Sequence, residues 1–279
     1  MDDLVSTEWL AAEIGADNLR IVDASWHLAD AGRDAAAEFA AGHIPGAVFL
    51  DLGTLVDTAS PVANMLPSAA AFAERVQALG ISDTDRVVLY DDSAVKTSAR
   101  AWFMFRLFGA GSVAILDGGL AKWKSERRER VGGAADLRKA QFTVRADTGA
   151  IRSQADMVAN LDRRVEQVVD ARGPARFAGA EPERAGVTPG HIPGSINLPY
   201  PRLFAPDGTF KDRAGIVSAF RDAGVDLARP VTTTCGSGVT AAVLLFALHR
   251  VGKTDVALYD GSWTEWGADP ATPKASGAA

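Results

Sequence analysis

Short apolar runs alternate along this chain with longer stretches whose apolar positions recur at helical spacing. Residues 19–22 and 167–169 are two such runs, each stopping at an aspartate, as strands buried in a parallel sheet commonly do. Residues 86–90 and 230–234 are rich in β-branched side chains, and each leads into a helical stretch. Those stretches, 98–108 and 240–251, are apolar on most faces and close at Gly109 and Gly252, where glycine permits a left-handed final turn. This alternation predicts an α/β architecture, a mostly parallel sheet flanked by helices. The longest apolar stretch, 241–248, is too short for a membrane span and suits a buried helix.

The pattern occurs twice. Gly42-His43-Ile44-Pro45-Gly46-Ala47 returns 148 positions later as Gly190-His191-Ile192-Pro193-Gly194-Ser195. Ile21-Val22-Asp23-Ala24 returns as Val168-Val169-Asp170-Ala171, and Leu116-Asp117-Gly118-Gly119 as Tyr259-Asp260-Gly261-Ser262. Matched signals in one order at nearly constant spacing mean a duplicated domain, since the period is far too long for a solenoid. The expected division is an N-terminal domain over 1–130, a linker over 131–150 and a C-terminal domain over 151–279. The linker is placed there because the region is charged, holds Gly132-Gly133 and lacks clear periodicity.

Composition narrows the classes. With 47% apolar and 23% charged residues in 279, two cores can form without a metal or disulfide staple. Lys and Arg total 29 against 35 Asp and Glu, a net charge of -6 that argues against a nucleic-acid surface. One cysteine excludes an intrachain disulfide and a cysteine-rich metal site. The first residues carry neither a basic region nor an apolar run of signal length, so a cytoplasmic protein with a reduced thiol is expected.

That cysteine, Cys235, sits where chemistry is favoured. It follows a predicted strand and opens Cys235-Gly236-Ser237-Gly238-Val239-Thr240, after which a helix begins. Gly236 and Gly238 let the backbone curl so that successive N–H groups face inward as a nest for an anion. The helix start adds partial positive charge. Both effects favour thiolate over thiol, and ligands of open parallel sheets gather at the carboxyl ends of strands. A buried structural cysteine is the alternative for a lone thiol, but the strand–glycine–helix setting favours function. At the matching place in the first copy stands Asp91, followed by Asp92, so that copy is expected to be nonreactive. His43 and His191 occur in both copies, including the one without a thiol, and are therefore read as turn residues rather than bases. Trp102, Trp123, Trp263 and Trp266 are read as packing.

Taken together, Asp23-Ala24-Ser25-Trp26, both Gly-His-Ile-Pro-Gly segments, Met65-Leu66-Pro67, the Cys235 loop and Tyr259-Asp260-Gly261-Ser262-Trp263-Thr264-Glu265-Trp266 resemble the tandem-domain rhodanese superfamily. The uncharged Gly236-Ser237 pair resembles the branch that acts on 3-mercaptopyruvate, because thiosulfate-preferring relatives usually carry basic residues there. The resemblance implies two rhodanese-like domains and a sulfur transfer through a persulfide on Cys235, with pyruvate released and no metal or organic cofactor. It implies cyanide, a small thiol or a reduced thioredoxin-like protein as acceptor, and a monomer. By the same match Arg176 and Arg184 bind substrate carboxylate and carbonyl, Ser237 assists proton transfer, and the backbone of Gly236, Ser237, Gly238, Val239 and Thr240 holds the persulfide. Relatives often show an acidic residue where Gly53 stands and a histidine where Asn64 stands, which leaves Asp51 or Asp57 as the available acids for such a relay.

Three other functions compete. A thiosulfate:cyanide sulfurtransferase is the nearest, and the uncharged Gly236-Ser237 pair weakens binding of its dianionic donor. A cysteine phosphatase needs arginine six positions after its nucleophile, and that position is Ala241. A sulfur carrier without turnover is the non-enzymatic alternative, motivated by Gly53 and Asn64.

Overall fold

A computed structural model describes residues 1–134 and 137–277; Ala135 and Asp136, inside the expected linker, and Ala278 and Ala279 lie outside the described residues. The chain forms two compact units, one of residues 1–57, 66–147 and 206–210, the other of 58–65, 148–205 and 211–279.

In the first unit the elements run β1 (Leu4–Val5), α1 (Thr7–Glu13), β2 (Leu19–Asp23), α2 (Ala35–Ala41), β3 (Ala47–Phe49), α3 (Ala69–Ala78), β4 (Arg86–Tyr90), α4 (Ser98–Leu107), β5 (Ser112–Leu116) and α5 (Gly119–Ser125). The second repeats them one for one. They are β6 (Ile151–Arg152), α6 (Gln154–Arg163), β7 (Gln167–Asp170), α7 (Pro174–Phe177), β8 (Ile196–Asn197), α8 (Arg213–Asp222), β9 (Val231–Thr234), α9 (Ala241–Arg250), β10 (Val256–Tyr259) and α10 (Ser262–Trp266). Both five-stranded sheets are parallel, with orders β1-β5-β4-β2-β3 and β6-β10-β9-β7-β8. The predicted fold class is the observed one.

The two-residue strands β1 and β6 offer no period long enough to read, and only pairing to β5 and β10 defines them. The central strands are the ones the apolar runs announced. Thr232, Thr233 and Thr234 of β9 are buried despite their hydroxyls, since β-branched side chains pack well on a pleated sheet. Against β9 and β10 lies α9, whose residues from Ala241 through Leu248 are all buried. That helix is apolar all round because it is covered on every face.

Helix starts are set by polar caps. Ser6, Ser68, Ser153 and Asp212 accept first-turn N–H groups of α1, α3, α6 and α8, and Ser153 forms a reciprocal box with Asp156. At α9 no side chain plays this part. The Gly-His-Ile-Pro-Gly turns are architectural, as read from sequence. His43 stacks on Phe39 and hydrogen-bonds its carbonyl, while His191 does the same with Phe177.

Residues following α5, through Asp147, belong to the first unit. Val131 bridges His43, Arg138 binds Asp85, Phe142 packs on Phe72 and Phe105, and Arg145 and Asp147 give their N–H groups to Phe108 and Leu107. The segment that reads as a linker by its charge is held by these tertiary contacts, which have no period.

Candidate active site

The chain leaves the sheet at the carboxyl end of β9 and turns through residues 235–240 into α9. Two carbonyls of this turn are tied back to α10. Trp263 N–H donates to the Cys235 carbonyl at 2.9 Å, and Thr264 donates to the Gly236 carbonyl from both N–H (2.9 Å) and hydroxyl (2.6 Å). With the carbonyls drawn toward α10, the following amides turn the other way. Among the described residues, the N–H groups of Gly236, Ser237, Val239 and Thr240 meet no hydrogen-bond acceptor. Gly238, at φ 75°, has the left-handed backbone that glycine permits here.

Gly238 corrects the expectation for this loop. Its N–H donates to Ser262 Oγ at 3.0 Å, and Cys235 N–H donates to the same oxygen at 3.3 Å, so Gly238 serves the loop's scaffold. Ser262 Oγ in turn donates to the Tyr259 carbonyl at 2.8 Å. This fully buried serine was not singled out from sequence. The available signal was its replacement of Gly119 in the repeat.

Cys235 itself is 2% exposed. Ser237 is nearly buried two residues on, and its hydroxyl meets no hydrogen-bond partner among the described residues. Arg176, on α7, is brought to the loop. A Cβ placed on Gly236 would lie 3.6 and 3.7 Å from the two terminal guanidinium nitrogens of Arg176, so the cation stands directly beside the turn. A Cβ at 236 would make ordinary van der Waals contact with it.

Glu183 orients this arginine. Its carboxylate accepts from Arg176 Nη2 at 2.6 Å and from Arg172 Nη1 at 3.1 Å. Arg172 is buried, bonds Asp170 through Nε and Nη2, and lies over the Trp263 ring at 4.7 Å. Sequence reasoning missed Glu183 and Arg172, because a carboxylate linking two arginines is a tertiary arrangement. Arg184 is exposed, and its guanidinium makes no hydrogen bond among the described residues. The structure does not bring it to the loop by any contact.

Of the two acids offered for a relay, Asp51 is committed locally. Asp51 is tied into its own turn, with Oδ1 accepting from Gly53 N–H at 2.9 Å and Oδ2 from the Thr54 hydroxyl at 2.8 Å. Gly53 is crowded by the Trp26 indole, which a Cβ would meet at 3.1 Å. Asn64 adopts φ 63°, a left-handed conformation for which asparagine is enriched. Among the described residues no group of three or more His, Cys, Asp or Glu side chains could hold a metal, and no helix is long and apolar enough to cross a membrane.

Two segments, 6–126 and 153–269, match the model of the rhodanese-like domain. The chain belongs to the rhodanese family. Among its relatives is the 3-mercaptopyruvate sulfurtransferase of Mus musculus, 43% identical over 270 residues that span 94% of this chain and 91% of that protein. The thiosulfate sulfurtransferase of Cricetulus griseus is 39% identical over 94% of this chain and 91% of its own length. Among solved structures, SseA of Escherichia coli, described as a 3-mercaptopyruvate sulfotransferase with the rhodanese fold, superimposes with a TM-score of 0.86 at 36% identity. That match covers 94% of this chain and 99% of SseA. The duplicated rhodanese-like architecture read from the two repeats is thereby established.

Proposed function

We propose that this rhodanese is a sulfurtransferase that takes sulfur from 3-mercaptopyruvate, holds it as a persulfide on Cys235 and passes it to a thiophilic acceptor. The observation supporting this most directly is the pairing of Cys235, at the mouth of an uncapped helix, with the Arg176 guanidinium beside Gly236. Relatives bearing that activity's name span nearly the whole chain.

The chemistry follows from the groups present. Arg176 binds the substrate carboxylate with a planar pair of N–H donors, a geometry that lysine does not offer. The Cys235 thiolate attacks the substrate sulfur, a sulfur–sulfur bond forms, and the carbon–sulfur bond breaks with its electron pair leaving on carbon. That pair is delocalised into the adjacent carbonyl as the enolate of pyruvate. The proton of the former thiol ends on the enolate carbon, so pyruvate and a persulfide anion result. The amides of Gly236, Ser237, Val239 and Thr240 and the α9 N-terminus stabilise the anion before and after transfer. In the second half-reaction cyanide, a small thiol or a reduced thioredoxin-like protein takes the outer sulfur and restores the thiolate, a ping-pong sequence. On this reading Ser237, two residues after the nucleophile in the chain, shuttles the proton, and Arg184, which no contact ties to the loop, would have to move to serve as a second cation for the substrate.

The Cricetulus griseus relative supports thiosulfate as a second donor. The absence of charge at Gly236 and Ser237 favours the monoanion over the dianion. Pyruvate release from 3-mercaptopyruvate, coupled to lactate dehydrogenase, compared with thiocyanate formation from thiosulfate, tests both points. Faster turnover of 3-mercaptopyruvate supports the assignment. Equal or better turnover of thiosulfate overturns the donor, and a single equivalent of pyruvate released with persulfide formation, without turnover when acceptor is added, leaves only a carrier.

A further inference from the structure

The second unit carries a cavity of about 540 Å³ at the other end of its sheet from Cys235. Residues that precede β7 and β9 line it, whereas Cys235 follows β9. Its walls include Met157, Leu161 and Val168, with Arg164 and Arg229 as the cations. The volume lies in the range of ordinary binding pockets.

The duplication shows what such a place can do. In the first unit the positions matching Arg164, Gly224 and Arg229 are Asp17, Gly80 and Asp85. All three grip one residue of the same unit. Arg138 donates from Nε to the Gly80 carbonyl at 3.2 Å, from Nη1 to the Asp17 carbonyl at 3.2 Å and from Nη2 to both Asp85 oxygens at 2.5 and 2.7 Å. Arg138 belongs to a stretch without helix or strand, and Phe142, four residues on, donates its N–H to Gln77. The first copy therefore uses this corner to seat an extended segment through a cationic side chain.

In the second copy the one carboxylate of that seat, Asp85, is replaced by a cation; Asp17 gives only its main-chain carbonyl, so Arg164 adds a second cation beside it. Arg164 replaces one aspartate and Arg229 the other, and both are exposed. Arg229 donates from Nη2 to the Arg164 carbonyl at 2.8 Å, which draws the two residues together. Their backbone is fixed, since Asn160 exchanges hydrogen bonds with the Glu166 backbone in both directions. Glu166 is the one acid among the lining residues, and its carboxylate is committed to Arg152 and to the Thr232 hydroxyl. Beside Arg164, Val165 is 59% exposed, an apolar contact at the rim.

We propose that this cavity docks an extended acidic segment of a partner protein, with an aspartate or glutamate side chain entering between Arg164 and Arg229. At the position of Asp85 it inverts the charge of the seat that Arg138 fills in the first unit, while the Arg164 carbonyl, matching that of Asp17, is taken by Arg229 itself. Because the site lies at the other end of the sheet, docking is compatible with turnover at Cys235.

The test uses the full chain and a fluorescein-labelled, blocked Gly-Leu-Glu-Leu-Glu-Gly peptide, with a lysine-for-glutamate peptide and free glutarate as comparison arms. Saturable anisotropy is expected with the glutamate peptide, weakened about ten-fold by Arg229→Glu or by Arg164→Glu, and weaker still in high salt. Both variants should retain pyruvate release, which shows that the second unit is folded. The proposal is overturned if the glutamate peptide does not saturate in the millimolar range or the lysine peptide binds equally. It is also overturned if the arginine variants bind unchanged, or if glutarate competes as well as the peptide. None of these outcomes bears on sulfur transfer, so the proposal stands or falls apart from the catalytic assignment.

Discussion

The two strand-to-helix loops of this chain occupy the same place in the same fold, and they treat negative charge in opposite ways. After β4, Asp91 turns its carboxylate back into its own loop. Oδ1 accepts from Ser93 N–H and Oδ2 from Ser98 N–H, the first residue of α4, both at 2.8 Å. The cradle is thus filled by an anion that is part of the chain. After β9 the side chain at that position is Cys235, the loop is one residue shorter, and four of its amides have no acceptor among the described residues. A further difference lies beneath. Gly119 cannot carry a side chain, since a Cβ there would meet the Asp91 carbonyl oxygen at 2.5 Å, whereas its counterpart Ser262 props the reactive loop through its hydroxyl. An anion site can therefore be silenced by one carboxylate without changing the fold around it.

A parallel contrast lies on the neighbouring strand of each sheet. Asp170 at the end of β7 is paired with buried Arg172, but Asp23 at the end of β2 is followed by Ser25, which offers only hydrogen bonds. Burial without a cation pushes the Asp23 carboxyl up to about 6, against the lowering effect of Ser25 and Tyr90.

The contrast between the loops is broken most severely by removing the thiol. Cys235→Ser should lower pyruvate release by at least about a thousand-fold, because the hydroxyl is a far weaker nucleophile. Persistent turnover in the coupled assay would mean the reactive loop is misassigned. Next in size is the pH response of the first unit. Folded Asp23 keeps its proton up to about 6 and the unfolded chain only to about 3.8, so this contribution to stability is full below 3.8 and is lost as pH rises through 6. The loss is about 3 kcal/mol. Urea denaturation of Asp23→Asn should lack this slope, and an unchanged slope would refute the pairing argument.

Arg176→Ala should raise KM about 30- to 100-fold, the equivalent of about 2–3 kcal/mol for a charge-assisted carboxylate contact. Glu183→Gln should raise KM in the same direction by a smaller factor, with kcat less affected, since it loosens Arg176 without removing it. If Glu183→Gln matches Arg176→Ala in kcat as well, the carboxylate does more than orient. The smallest effect is expected at Ser262→Gly. Glycine keeps the left-handed backbone, φ 50°, and removes the hydroxymethyl group to which Cys235 and Gly238 donate, at a cost of about 1 kcal/mol. Ser262→Ala should be worse because it loses the same hydroxyl while keeping the Cβ at positive φ that glycine dispenses with. Iodoacetamide labelling of Cys235 reads the change in loop order, and identical rates in all three proteins would remove Ser262 from the scaffold.

Much of the fold was legible because burial writes itself into linear spacing. Runs 19–22, 86–90 and 167–169 each became a central strand within a residue of the expected ends. The placement of the Cys235 loop was legible too, since strand, cysteine, glycine and helix follow one another in the chain. Residues 131–147 were not, because their seat depends on Arg138 reaching Asp85 across 53 positions. The scaffold of the loop was equally hidden, as Ser262 and Thr264 meet it only after the chain has passed through α9 and β10.

By itself the sequence determined the duplication, the parallel α/β class, the family and the place of the single thiol between strand and helix. All of these rest on local periodicity or on contiguous motifs. Only the tertiary structure decided that Gly238 serves the scaffold, that Glu183 aims Arg176, that Asp51 is spent on its own turn, and that an arginine-lined cavity remains open. Hydrogen bonds and ion pairs have a reach of about 3 Å and depend on direction, so which partners meet is set by how distant segments pack and leaves no period along the chain.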